Sequence, residues 1–159
     1  AVLFSGTIEE NLLYGDENAT EQDIRKALEI SQSAEFVDKL PDGIHSVLSQ
    51  NGTNLSGGQK QRLSIARALT RKAEVYIFDD SFSALDFKTD ALLRKALREN
   101  IDATVIIVAQ RVGTIIDADK IVVLDEGRVA GIGKHSELME SCSVYSEIYH
   151  SQISEEVAL

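Results

Sequence analysis

The stretch Leu55-Ser56-Gly57-Gly58-Gln59-Lys60-Gln61-Arg62 decides how the rest of the chain is read. Ser56 followed three residues later by Gln59 is a capping box, in which the serine caps the helix and the glutamine reaches back to it. Leu63, Ala66 and Leu69 then recur at helical spacing, which predicts a helix from Gly57 to about Thr70. Gly57 and Gly58 put no side chain over the first turn, although glycine is a poor helix former. Bare first-turn N–H groups, together with the helix dipole, make an anion site. Read alone, the same residues also fit an ordinary capped helix with two incidental glycines.

Two later stretches decide between these readings. Val75-Tyr76-Ile77-Phe78 is an apolar run ending in Asp79-Asp80, and Ser83-Ala84-Leu85-Asp86 follows it. A buried strand ending in carboxylates resembles the acidic motif of nucleotide-binding α/β proteins, where one carboxylate holds Mg²⁺. LSGGQ, an acid-ended strand and SALD, in this order and spacing, closely resemble the nucleotide-binding domain of ABC transporters. The resemblance implies ATP and Mg²⁺ as ligands and ATP hydrolysis as the reaction of the full-length protein.

Bulk properties agree with a single globular body. The chain has 159 residues, 43% of them hydrophobic, and one proline, enough for about one domain. A net charge of −10 argues against a nucleic-acid partner, because phosphate contact rewards Lys and Arg. The one basic cluster, Lys60, Arg62, Arg67, Arg71 and Lys72, is expected to be a solvated helix face. Cys142 has no partner for an intrachain disulfide, which fits a reducing cytosolic compartment. The apolar run Val105 to Ala109 is far short of the ~18 residues of a membrane span. The chain opens on Ala1-Val2-Leu3-Phe4 without a methionine and reads as the middle of a protein.

Taken in order, Thr7 with Glu10 offers a capping box for a helix to about Leu13, and Thr20 caps a second to about Ile30. Ser33 is expected to cap a third, closed by the turn Pro41-Asp42-Gly43. From Glu74 short apolar strands alternate with helices, which favours a parallel sheet. The strands are Val75 to Asp79, Val105 to Ala109 and Ile121 to Leu124, with Arg128 to Ile132 as an antiparallel edge. A helix from Asp86 to about Asn100 is expected to turn Leu92, Leu93, Ala96 and Leu97 inward. Helices follow at 112–116, 136–139 and 143–150, and 153–159 reads as a frayed tail. The fold class is therefore α/β. The resemblance divides it into a helical subdomain over 1–72, bearing the signature, and the C-terminal half of a P-loop NTPase-type core over 73–159.

The phosphate loop G-x-x-x-x-G-K-[ST] is absent from the chain. The only Gly-Lys is Gly133-Lys134, with Arg128 in place of the first glycine and His135 after the lysine. This chain alone is therefore expected to be an inactive ATPase that holds ATP weakly. By the resemblance, Ser56, Gly57, Gly58 and Gln59 bind the γ-phosphate of a partner's ATP, Asp79 supports Mg²⁺ and Asp86 bridges two cassettes. The catalytic positions are altered. Asp80 stands where most active members have Glu, shorter by one methylene, or roughly 1.5 Å of reach. A misplacement of ~1 Å there costs ~10²-fold in rate. Gln110 stands where the family has a His against the γ-phosphate, and it cannot carry positive charge.

An intact signature beside an altered Asp80/Gln110 pair resembles the degenerate-site subunit of a heterodimeric ABC exporter. The implied partners are a second cassette subunit and the protein's own transmembrane domain, which is missing from this chain. The implied place is the cytoplasmic face of the cell membrane, and the implied role is export of a substrate. A soluble ABC-type ATPase without a transport role is the alternative. It is disfavoured by Leu3-Phe4-Ser5-Gly6-Thr7-Ile8 with Asn11, which also resembles exporter cassettes. Gln50 lies where exporters carry a Glu in a loop to the membrane domain, and a plain turn at Asn51-Gly52 explains the segment equally well. His45, His135 and His150 are too scattered for a metal set, and Tyr145 and Tyr149 are expected in a core or interface. Tyr14 is not taken as an adenine-stacking residue.

Overall fold

Three capping boxes set the starts of helices in the first 70 residues. The computed structural model describes residues 1–157, leaving aside the side chains of residue 51 and residues 154–157. Thr7 and Glu10 open α1 (Ile8–Leu13), Thr20 and Asp23 open α2 (Glu21–Ile30), and Ser56 and Gln59 open α4 (Gly57–Thr70). In each box the side-chain oxygen of the cap takes the third amide and the third side chain takes the cap amide. Ser33 does stand at the cap position of α3 (Ala34–Asp38), but its backbone is helical and its hydroxyl makes no cap bond. That hydroxyl lies 2.8 Å from the buried Ser31 hydroxyl, so the pair satisfies itself within the α2–α3 turn.

The chain forms two compact units, Ala1–Val108 and Ala109–Leu159. In the first, the short β1 (Gly6–Thr7) pairs antiparallel with β2 (Val47–Leu48). The parallel pair is β3 (Val75–Asp79) with β4 (Thr104–Val108), joined by α5 (Phe87–Asn100). One continuous core runs through Ile8, Leu12, Ile24, Leu28, Leu63, Ile65, Phe78 and Leu93, so the helices and the first parallel strand share it. Each fully buried Leu or Ile contributes roughly 1.5–3 kcal/mol through loss of apolar surface to water. Strand alternation divides the sheet faces: Tyr76 and Phe78 point into this core, whereas Val75, Ile77, Ile106 and Val108 lie on the opposite, open face.

The second unit contains α6 (Val112–Ile115), the antiparallel hairpin β5 (Ile121–Asp125) and β6 (Arg128–Gly133), α7 (His135–Ser141) and α8 (Ser143–Val157). Glu126 and Gly127 both have positive φ, +46° and +75°, as the two-residue hairpin turn between right-twisted strands requires. The core of this unit is Val112, Ile121, Val123, Leu138, Cys142 and Tyr145.

Several expectations need correction. Leu92 is 45% exposed, because α5 turns only Leu93 and Leu97 fully inward, with Ala96 partly buried. Residues 153–157, expected to fray, continue α8, and residues 158–159 lie outside the described residues. The basic cluster is not one solvated face. Arg62 donates to the Gln32 carbonyl at 2.7 Å and covers the Phe36 ring, while Arg67 donates to the Val2 carbonyl and lies over Phe4. Burial lowers both guanidinium pKa values. Their long stems cover apolar surface while the heads satisfy carbonyls left open by loops, which periodicity cannot reveal.

The capping box of α2 carries a pH-dependent contribution. The Asp23 carboxylate accepts from the Thr20 hydroxyl at 2.8 Å and the Thr20 amide at 3.1 Å, and pairs with Lys72 at 3.0 Å. These contacts, the Thr20 hydroxyl first and Lys72 next, lower its pKa from 3.8 to about 2. The folded value is depressed, so the stabilisation is complete above the unfolded pKa of about 4 and is lost as pH falls toward about 2. In thermal unfolding followed by circular dichroism, Asp23→Asn should melt below the unaltered chain at pH 6, with the gap closing toward pH 2.5. A gap that stays constant over that range would show that the carboxylate charge is not involved.

Candidate functional site

The first turn of α4 ends in donors without acceptors. Ser56 is extended (φ −67°, ψ 161°), its Oγ accepts from the Gln59 amide at 3.2 Å, and its own amide donates to Gln59 Oε1 at 2.8 Å. The box therefore occupies the outer donors, while the amides of Gly57 and Gly58 have no acceptor within the helix. Gly57 is exposed, and a Cβ there would sit 3.7 Å from the Ala84 Cβ, an ordinary contact. At Gly58 a Cβ would come within 3.1 Å of the Ala84 carbonyl oxygen, so this glycine is needed for close approach of the loop after β3. Helix dipole, bare amides and a serine hydroxyl together make an anion site.

That loop carries the acidic residues. Asp79 closes β3, and Asp80 follows with φ +47°, in the left-handed region that Asp tolerates better than most residues. The Asp80 amide donates to the Val108 carbonyl at 3.1 Å, and its carbonyl accepts from the Ser83 hydroxyl at 3.0 Å. Gln61, one turn into α4, ties the signature helix to the same loop. Its Oε1 accepts from the Ala84 amide at 2.9 Å and its Nε2 donates to Ser83 Oγ at 3.1 Å. Only one orientation of the amide satisfies both bonds. Sequence reasoning missed Gln61, yet it had a signal: 61, 65 and 69 form one helical stripe, and Ile65 and Leu69 on it are buried.

Asp86 caps α5, accepting from the Thr89 amide at 3.0 Å and the Thr89 hydroxyl at 2.7 Å. These bonds hold its carboxyl below the ordinary carboxylate range. Ser56, Gly57, Gly58, Gln59, Asp79, Asp80 and Asp86 thus all belong to the first unit, and Gln61 joins the signature helix to the loop before Asp86. Gln110 belongs to the second unit, in the segment between β4 and α6.

Among the described residues no group of three His, Cys, Asp or Glu is arranged to hold a metal. Asp79 is an exposed carboxylate at a strand end, which suits Mg²⁺, an ion that keeps several waters and takes only one or two protein carboxylates beside phosphates. The histidines have other contacts: His45 pairs with Glu9, and His135 lies 2.9 Å from the buried Tyr145 hydroxyl. Tyr14 is exposed and its ring packs on Phe4. Gln50–Gly52 is a short 3-10 turn with Gly52 at φ +59°. Asn11, quoted above for its resemblance, is buried and staples the chain before α1 through the Phe4 amide, the Phe4 carbonyl and the Thr7 carbonyl. No helix among the described residues is long and apolar enough to cross a membrane.

Comparison with known proteins bears on the same stretches. The sequence profile of the family described as ABC transporter matches residues 2–83. The ABC transporter ATP-binding protein YfiB of Bacillus subtilis is 46% identical over 155 residues, covering 98% of this chain and 27% of its own length. The ATP-dependent lipid A-core flippase of Chromobacterium violaceum is 43% identical over 155 residues, covering 96% of this chain and 26% of the flippase. Among solved structures, a bacterial Atm1-family ABC exporter with ATP bound matches with a TM-score of 0.91 and 37% identity, over 96% of this chain and 27% of that one. The chain therefore spans about a quarter of the length of these relatives. It belongs to the ABC transporter family, as part of a nucleotide-binding domain whose relatives are the ATP-binding proteins of ABC exporters.

Proposed function

We propose that the full-length protein is an ABC exporter in which this cassette closes on a second, different cassette around ATP, and that binding and hydrolysis drive export across a membrane from its cytoplasmic face. The observation that carries this reading is the first turn of α4, where Ser56 is locked by Gln59 while the Gly57 and Gly58 amides stay free. A γ-phosphate from the partner's ATP suits that turn: it accepts the two amides and the serine hydroxyl, and its charge lies at the positive end of the helix dipole. Asp86, at the end of the loop that Gln61 holds, would bridge the two cassettes. Asp79 would hold Mg²⁺, which when bound neutralises phosphate charge. A soluble ATPase of the same family, without a transport role, has less support, since the matched proteins include one named a flippase and one named an exporter.

In this reading the altered residues at the two catalytic positions, Asp80 and Gln110, each slow hydrolysis of this subunit's own ATP, and the partner supplies the working base. Asp80→Asn tests it cleanly, because asparagine tolerates the left-handed backbone as well as aspartate does. In the purified complete transporter, Asp80→Asn should leave most steady-state hydrolysis intact, while Glu→Gln at the partner's equivalent position should abolish it. Asp80→Glu should give only a small gain, since general-base help of about 10²–10⁴-fold needs correct geometry and Gln110 stays unchanged. Loss of hydrolysis in Asp80→Asn as complete as in the partner variant would mean that both sites work and the pair is not asymmetric.

A further inference from the structure

The geometry points to Gln152, on the last helix, as a positioning residue for Gln110; the inference rests on the γ-phosphate role proposed for Gln110. The Gln152 side chain spans the backbone on both sides of Arg111. Its Oε1 accepts from the Val112 amide at 2.8 Å, and its Nε2 donates to the Gln110 carbonyl at 2.7 Å. Both bonds join residues forty or more positions apart in the chain.

Each bond meets a local need. Val112 is the first residue of α6, so its amide has no acceptor within that helix. Arg111, the cap residue of α6, makes no side-chain cap bond, so the glutamine from α8 takes the place of a missing cap. The parallel ladder ends at the Asp79–Val108 pair, so the Gln110 carbonyl lies beyond the last strand residue. A primary amide can accept from an N–H and donate to a C=O within the same plane. Hydrophobic substitution would leave both backbone groups without partners.

Gln152 is itself held by the core of its unit. Tyr145, Tyr149 and position 152 recur at i, i+4 and i+7, on one face of α8. Tyr145 is 2% exposed and Tyr149 packs against the same cluster, which also contains Val112. The amide thus sits on an anchored helix face and aims at a segment whose first core residue belongs to the same cluster. The short α6 cannot orient that segment by its own length, since four residues close barely one turn. Fixing the backbone at Gln110 restricts the directions its side chain can take. The amide therefore sets where the Gln110 donor points, without touching nucleotide itself.

The test uses the complete transporter and two unhydrolysed probes, AMP-PNP, which carries a γ-phosphate, and ADP, which does not. Labelling of this subunit by an azido-adenine nucleotide, in competition with each probe, gives the preference of its own site for the γ-phosphate. Gln110→Ala should lower that preference about tenfold, the order expected for one hydrogen bond to a charged group. Gln152→Leu should lower it several-fold with ADP competition unchanged, and the double variant should be no worse than Gln110→Ala, as for two residues acting through one contact. If Gln110→Ala lowers the preference and Gln152→Leu does not, the positioning role is wrong and the role of Gln110 stands. If neither variant changes it, both are wrong. Effects that add, or an equal loss of ADP competition, would show general damage and overturn the inference. Should Gln152→Leu fail to fold, Gln152→Glu keeps the acceptor for Val112 and the side-chain shape, removes the donor to Gln110, and should shift the preference in the same direction.

Discussion

Gly57→Asp in the complete transporter should reduce ATP turnover by about 10²–10³-fold while leaving the folding of this cassette intact. The two halves of that expectation have separate causes. Position 57 is the first residue of α4, where a carboxylate is favourable to the helix by about 0.3–1 kcal/mol. The added Cβ meets the Ala84 Cβ at 3.7 Å, which is normal packing, and glycine is a poorer helix former than aspartate. The same carboxylate would lie against a bound phosphate. Two unit charges about 4 Å apart at an effective dielectric of 20 repel by ~4 kcal/mol, nearly three powers of ten. Thermal melting together with steady-state hydrolysis reads both halves. An unchanged rate would mean that this helix end does not serve the ATP that turns over, and a large drop in melting temperature would mean that the loss is structural.

Gly15→Ala should be the most destabilising single-methyl change in the first unit, by about 3 kcal/mol, the upper range for overpacking. Gly15 follows the C-cap Tyr14 of α1, and its amide donates to the Leu12 carbonyl at 2.9 Å. A Cβ there would overlap the Arg67 carbonyl oxygen and the Thr70 hydroxyl. Neither obstacle can yield easily. The first is helix backbone, and the second is a buried hydroxyl placed 3.0 Å from the Leu12 carbonyl and 2.7 Å from the Arg67 carbonyl. Relief requires α1 to move off α4, which opens the contact of Leu12 and Leu63 with the core. For a chain of this size the expected fall in melting temperature is roughly 6–12 °C. A melting temperature within a degree of the unaltered chain would show that the two helices separate at no cost.

What the sequence determined by itself was local. Capping needs only residues about three apart, so the boxes Thr7/Glu10 and Ser56/Gln59 and the cap Thr20 could be read directly. Each appears in the structure, where Asp23 completes a box at Thr20. The antiparallel pairing of Ile121–Asp125 with Arg128–Gly133 and the parallel pair Val75–Asp79 with Thr104–Val108 were legible for the same reason, since period and turn chemistry act over a few residues. The expectation that Ile121 to Leu124 continues the parallel sheet is corrected: among the described residues that strand pairs with Arg128–Gly133 alone. The ordered run of LSGGQ, acid-ended strand and SALD carried the family, because those residue types have few other reasons to occur together. Ser33 shows the limit of such reading: the cap residue was in place, but a neighbouring hydroxyl, Ser31, took its side chain.

The tertiary structure alone decided which polar residues have distant work. Gln61 and Gln152 each sit on a helix face shared with core residues, and each spends its amide on groups 19 to 42 residues away, backbone in every case but the Ser83 hydroxyl. Arg62 and Arg67, basic residues on a helix that looked solvated, reach the carbonyls of Gln32 and Val2. A hydrogen bond across such a separation depends on where the whole chain brings its partner, and no period within one element records that. The same holds for Gly15, whose lack of a side chain has no meaning in its own turn and becomes necessary only when α4 packs against it. Propensity and spacing act within one element, whereas long side chains and close approaches answer to the packing of several.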